Sequence, residues 1–138
     1  MKNQISNQLI ISAIYFAFLS TFLTAALQKW KSGVPDWFIK QFENTFIPKL
    51  PGGTAFGFWM ITALESAVAV ILIISLAMGE WFAEAPKFLL QTGVGLAAVT
   101  FSFLGFGLRI AGDFQGAANL FLYFGASIAS SIYLRLFQ

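Results

Sequence analysis

The chain has no cysteine and no histidine among its 138 residues. Without thiols it can form no disulfide, run no thiol redox couple and ligate no iron–sulfur cluster, and without imidazole the usual haem and zinc ligands are missing too. Charge is almost as scarce. Only 10% of residues are Asp, Glu, Lys or Arg, against about 25% in an ordinary soluble domain, so this surface could not be covered against water. No basic run or aromatic–basic array accompanies the net charge of +2, which leaves no footprint for nucleic acid. The scattered cations read instead as anchors flanking membrane spans. What is abundant is apolar: 58% hydrophobic residues, seventeen Phe and a mean hydropathy of +0.77. The length suits one domain.

Four apolar stretches are long enough to cross a bilayer: 9–27, 55–78, 88–108 and 117–136. Each has about 19–24 residues, which at about 1.5 Å per residue matches a hydrocarbon core of roughly 30 Å. None contains proline; Pro86 stands just before the third, and Gly79 and Gly112 follow the second and third as helix-ending residues do. Four strands cannot close a barrel, and open edges are not viable in lipid, so the spans are helices. The expected fold is all-α, a polytopic four-transmembrane-helix bundle. Lys2, the first apolar run and Thr24-Ala25-Ala26 have some likeness to a secretory signal, but the run is long, bulky and aromatic, which favours an uncleaved first helix.

One connection is long, residues 28–53, and it mixes Trp30, Trp37, Phe38, Phe42 and Phe46 with lysines. Pro35 can start a helix there, and Pro48 and Pro51 can stop one. Phe38, Phe42 and Phe46 recur every fourth residue, so segment 35–47 is expected to be a short helix lying in the membrane interface. It would either cap the bundle or form a lid over a site. Lys2, Lys87 and Arg135 fall on one side of the membrane, and Lys29, Lys31, Lys40, Lys49 and Arg109 on the other. The positive-inside rule leans towards an outside N-terminus, with four of those five cations in one amphipathic segment.

Small and hydroxylated stripes mark the faces expected to pack. They are Ala13, Ala17, Ser20, Thr21, Thr24 and Gln28 in the first span, Thr62, Glu65, Ser66 and Ala69 in the second, Gly93, Ala97, Thr100 and Gly107 in the third, and Asn119, Tyr123, Ala126, Ser127 and Ser130 in the fourth.

Glu65 is the polar focus. It is the one charge between Thr54 and Gly79, and a carboxylate in a membrane span costs roughly 2.5–3.5 kcal/mol on insertion scales, so it should face the bundle and find a partner or titrate. Counting from Ala55 puts it about 15 Å deep, and counting from an interfacial Trp59 about 9 Å. Lys29 and Gln28 arrive at the same side from the first span, and Arg109, Asp113, Gln115 and Asn119 from the last two. Lys29 or Arg109 is the expected partner, with Gln28 and Asn119 as further donors. The cluster reads either as an ion pair that fixes helix register or as a carboxylate that binds a proton or a polar headgroup. No catalytic residue can be named and no metal site is expected. Gly105-Phe106-Gly107 and Gly93-Val94-Gly95 lie inside apolar helices and are not phosphate loops.

The run Glu65-Ser66-Ala67-Val68-Ala69-Val70-Ile71-Leu72, ending at Met78-Gly79, resembles the second helix of DoxX-like membrane proteins, and Ala26-Leu27-Gln28-Lys29 resembles the end of their first. The layout of spans is similar over nearly the whole chain. Ala67 and Ala69 stand where that family often has Gly, and the first span has no Arg. The resemblance implies a four-helix protein of a bacterial inner membrane, with relatives linked to quinone-dependent sulfur oxidation or thiol-oxidative stress complexes. Lacking cysteine, this chain would borrow any thiol chemistry from a partner.

Three functions fit. The first is a membrane subunit or accessory factor of a redox system, holding a quinone headgroup near Glu65 and Lys29 or Arg109, with the electron carrier in a redox partner protein. The second is a scaffold or assembly protein whose Glu65 only locks the bundle. The third, favoured least, is a small proton-coupled transporter. The lipid-facing Phe and Leu surfaces suit a monomer or a homo-oligomer.

Overall fold

Two glycines set the corners of the chain. Gly79 and Gly112 both adopt φ near 81°, a left-handed conformation that costs a residue with a side chain but not glycine. At each the chain closes a Schellman-type cap: Glu80 N–H donates to Ser75 O at 3.1 Å, and Asp113 N–H to Leu108 O at 2.9 Å. The computed structural model describes residues 2–136, with side chains from Gln4 onward. The side chain of Lys2, which entered the charge count above, lies outside the described residues. Helix α1 covers Lys2–Ser32, α2 Asp36–Phe42, α3 Gly53–Ala77, α4 Phe88–Ile110 and α5 Phe114–Leu136, with a 3₁₀ turn at Ile47–Lys49 before α3. Four of these helices, α1, α3, α4 and α5, are long and apolar enough to span a membrane. The protein is a multi-pass membrane protein built as a four-helix bundle.

The helices run up and down, α1 against α3, α3 against α4 and α4 against α5. Phe22, Val68, Leu72, Leu90, Val94, Ala97 and Leu134, each no more than 2% exposed, fill the centre. Phe22 meets Phe101 at a ring distance of 5.0 Å. The tightest approach lies between α3 and α4 at Gly93, where a Cβ would sit 2.8 Å from Leu72 Cδ2. α5 is the least enclosed span; its far end is tied back to α1 by Tyr133 Oη donating to Asn7 Oδ1 at 2.9 Å.

The stripes on α3 and α4 face inward, with Thr62, Glu65, Ala69, Gly93, Ala97 and Thr100 buried. That of α1 does not. Ala13, Ala17, Thr21, Thr24 and Gln28 are exposed, and Ile11, Ile14, Tyr15, Phe18, Phe22 and Ala26 make the packing face. The threonines need no neighbour, because Thr21 and Thr24 return their hydroxyls to the carbonyls of Ala17 and Ser20 at 2.7 and 2.6 Å. On α5, Ser127 is buried while Asn119, Tyr123 and Ala126 are exposed. The connection also departs from a single helix over 35–47. It starts at Pro35 as the sequence indicates, but α2 ends at Phe42, and a turn leads to the 3₁₀ segment. Phe42 is buried and Phe46 is not.

Candidate functional site

Lys29 lies in the last turn of α1 and Glu65 in the fourth turn of α3, and antiparallel packing brings them together. The Lys29 ammonium donates to both carboxylate oxygens of Glu65, at 2.6 and 2.7 Å. Glu65 is buried, with 5% of its side chain exposed, while Lys29 keeps 25%. The pair is therefore one-sided: the acid lies inside the bundle and the base reaches it from the rim. Beside it the Trp30 indole donates to Ser66 Oγ at 2.9 Å, and Ser66 in turn donates to Thr62 O at 2.7 Å. Trp30 also packs on Trp59, with ring centroids 5.3 Å apart. Paired tryptophans of this kind belong at the headgroup level.

Next to the pair is an apolar cavity of about 550 Å³, roofed by α2. Trp37, Phe38, Phe42 and Phe46 come from the connection, Phe103 and Phe106 from α4, and Lys29 and Asp113 are its charged wall residues. Phe38 meets Phe42 at 4.9 Å and Phe58 of α3 at 5.2 Å. The Phe42 ring lies over Gly107, where a Cβ would approach it to 3.7 Å. α2 thus packs over this cavity at the end of the bundle.

The other sequence candidates are not part of this cluster. Arg109 is exposed, with its guanidinium 5.2 Å above the Phe114 ring, and it belongs to a separate groove between α4 and α5. Asn119 is exposed and accepts a hydrogen bond from Gln115 at 3.3 Å. Gln28 is exposed on the side of α1 that faces away from the core. Of Lys29 and Arg109, Lys29 is the partner of Glu65. Asp113 caps α5 by accepting from Gly116 N–H at 2.9 Å. Among the described residues no three acidic side chains converge to hold a metal.

A second polar network, at the opposite end of the bundle, was not foreseen from sequence. Glu80 is buried, and its carboxylate accepts from Leu89 N–H at 2.9 Å, Leu90 N–H at 2.7 Å and Ser75 Oγ–H at 2.7 Å. The Tyr15 hydroxyl shares a hydrogen bond of 2.5 Å with Ser75. Glu80 thus acts as the N-cap of α4 from outside the helix, on the N2 and N3 amides. Lys87, also buried, donates to the carbonyls of Phe82 and Ala85 in the same loop. Burial pushes the Lys87 ammonium below its ordinary pKa, with Glu80 pulling the other way. Gln8 clamps the loop to α1, donating to Trp81 O and accepting from Ala83 N–H, both at 2.9 Å. The sequence did carry one signal for this. The residue before Phe88 is a lysine, which cannot accept, so the first amides of α4 needed an acceptor from elsewhere.

No family model, no curated protein and no solved structure matches the chain.

Proposed function

We propose that this protein is a membrane subunit or accessory factor of a redox system in a bacterial inner membrane, of the DoxX-like kind, and that it holds the polar head of a quinone in the cavity under α2. The observation that supports this reading is the placement of Lys29 on the wall of that cavity, with both of its short hydrogen bonds directed to Glu65. Binding pockets of this type are mostly apolar with a few convergent polar groups, and a volume of about 550 Å³ falls in their usual range. The aromatic lining suits a flat ring, and the Lys29 ammonium suits a ring carbonyl oxygen. Electrons would come from a redox partner protein. This chain's share is to bind, to exclude water through α2, and to hold a proton on Lys29 while Glu65 keeps the charge balanced.

A second reading rests on the same pair. Because Lys29 occupies both oxygens of Glu65, the pair can serve as a register lock between α1 and α3 in a scaffold protein without a ligand. One experiment separates the two: short-chain ubiquinone titrated into nanodisc-embedded protein, read by quenching of Trp37. Saturable quenching that disappears in a folded Lys29→Met variant supports the quinone reading. Quenching that does not saturate, or is the same in both proteins, rejects it. If the single variants lose folding and a Lys29→Glu/Glu65→Lys exchange restores it without any quinone response, the scaffold reading stands.

A further inference from the structure

The groove between α4 and α5 meets the α2 cavity only at Phe106, which lines both. It has a volume of about 750 Å³ and opens to the outside of the bundle. Its composition changes along its length. At the end near the Ala111–Asp113 turn it carries Arg109, Gln115, Ala118 and Asn119; further in it is made of Ser102, Gly105 and Leu122 among phenylalanines. From Arg109 to Ser102 on α4, or from Gln115 to Leu122 on α5, seven residues separate the polar mouth from the apolar floor, a descent of about 10 Å. That gradient matches a lipid lying along the helices, with its head at the interface and a chain in the groove.

Charge selects among lipids. Arg109 makes no ion pair among the described residues; its guanidinium lies 5.2 Å from the centre of the Phe114 ring, and its donors are left for a ligand. The acid nearest in sequence, Asp113, lines the α2 cavity and not this groove, and is engaged with Gly116 N–H. The turn thus places a cation over one recess and an anion over the other. Gln115 and Asn119 add amide donors one turn apart beside the guanidinium. A fixed arginine with neighbouring amides recognises phosphate oxygens, and basic recesses between membrane helices hold anionic headgroups. Snorkelling alone would account for an interfacial arginine, but not for a groove continuing inward from it.

We infer that the α4–α5 groove is a binding site for an anionic glycerophospholipid, with Arg109, Gln115 and Asn119 on its phosphate and one acyl chain along Gly105, Ser102 and Leu122. This site is separate from the α2 cavity and does not depend on the quinone reading.

The test is native mass spectrometry of the full chain in detergent. Phosphatidylglycerol and phosphatidylcholine of identical chains are offered in equal amounts. The wild type is expected to retain phosphatidylglycerol preferentially, as a single 1:1 adduct. Arg109→Gln should weaken that adduct by about fivefold, Ala118→Phe should displace it by filling the groove, and Lys49→Gln, a cation on the same side outside the groove, should leave it unchanged. Equal retention of the two lipids overturns the proposal, as does an equal loss in Lys49→Gln, which would mean general surface attraction. Displacement by inorganic phosphate would assign the site to a free anion, and a lipid-free dimer abolished by Ala118→Phe would assign the groove to a second copy of the chain. Either also overturns it.

Discussion

Replacing Glu80 tests how the end of the bundle is held. In Glu80→Ala the amides of Leu89 and Leu90 lose their acceptor, and Ser75 loses the carboxylate it donates to. Leu90 is fully buried, so water cannot reach its amide; Leu89 is half-buried, and water recovers part of its bond. A buried donor without a partner costs about 1–3 kcal/mol, and the lost negative charge at the start of α4 adds about 0.3–1 kcal/mol. The expected destabilisation is about 2–4 kcal/mol. Glu80→Gln keeps one acceptor oxygen but aims an amide donor at an amide donor, so it should cost roughly half as much. Equilibrium unfolding in mixed micelles, titrated with dodecyl sulfate and followed by circular dichroism, measures both. Hydrogen exchange should accelerate at Leu89 and Leu90 first. A Glu80→Ala variant within about 0.5 kcal/mol of wild type, with unchanged exchange at those amides, would refute the reasoning.

Lys29→Met leaves a buried carboxylate without its partner and should cost about 3 kcal/mol, whereas Lys29→Met combined with Glu65→Leu should recover most of it; the same unfolding titration reads both. Gly93→Ala drives a methyl into Leu72 at the α3–α4 crossing, for an expected loss of about 1–3 kcal/mol, while Gly95→Ala, whose Cβ would meet nothing within 4 Å, should be neutral or stabilising. Lys87 has a lowered pKa in the folded state because of burial. The unfolded chain therefore binds more protons just below the free-lysine value of about 10.4, and stability should rise with pH across that window. Thermal unfolding of wild type against Lys87→Met checks the sign: the rise of stability with pH should be smaller in the variant.

The spans were legible because bilayer thickness imposes a length that any apolar run either meets or fails. The meeting of Lys29 and Glu65 was legible for a related reason: each is a charge near the same end of an antiparallel pair, and few others can reach. Arg109 was equally close in sequence logic, yet its direction depends on the rotation of α4, which composition does not fix. The same ambiguity misplaced the packing face of α1. Small and bulky residues alternate around that helix, and which side turns inward depends on whether Phe18 and Phe22 find complementary space on α3 and α4. Helix-internal hydrogen bonds had already satisfied the threonines that suggested the opposite. Glu80 escaped notice because loop charges usually face water, and its capping role exists only once α3 and α4 are side by side.

The pairing of α1 with α3 is fastened at two levels, where Lys29 at the end of α1 reaches Glu65 in mid-α3 and where Tyr15 in mid-α1 reaches Ser75 near the end of α3. These fasteners are complete before α4 has been synthesised. In the order of synthesis the α1–α3 hairpin therefore comes first, and its buried Glu65 and Ser75 find partners, Lys29 and Tyr15, within it. Glu80 emerges directly behind it, with Ser75 donating to one of its oxygens, and its carboxylate receives the next helix at its first turn.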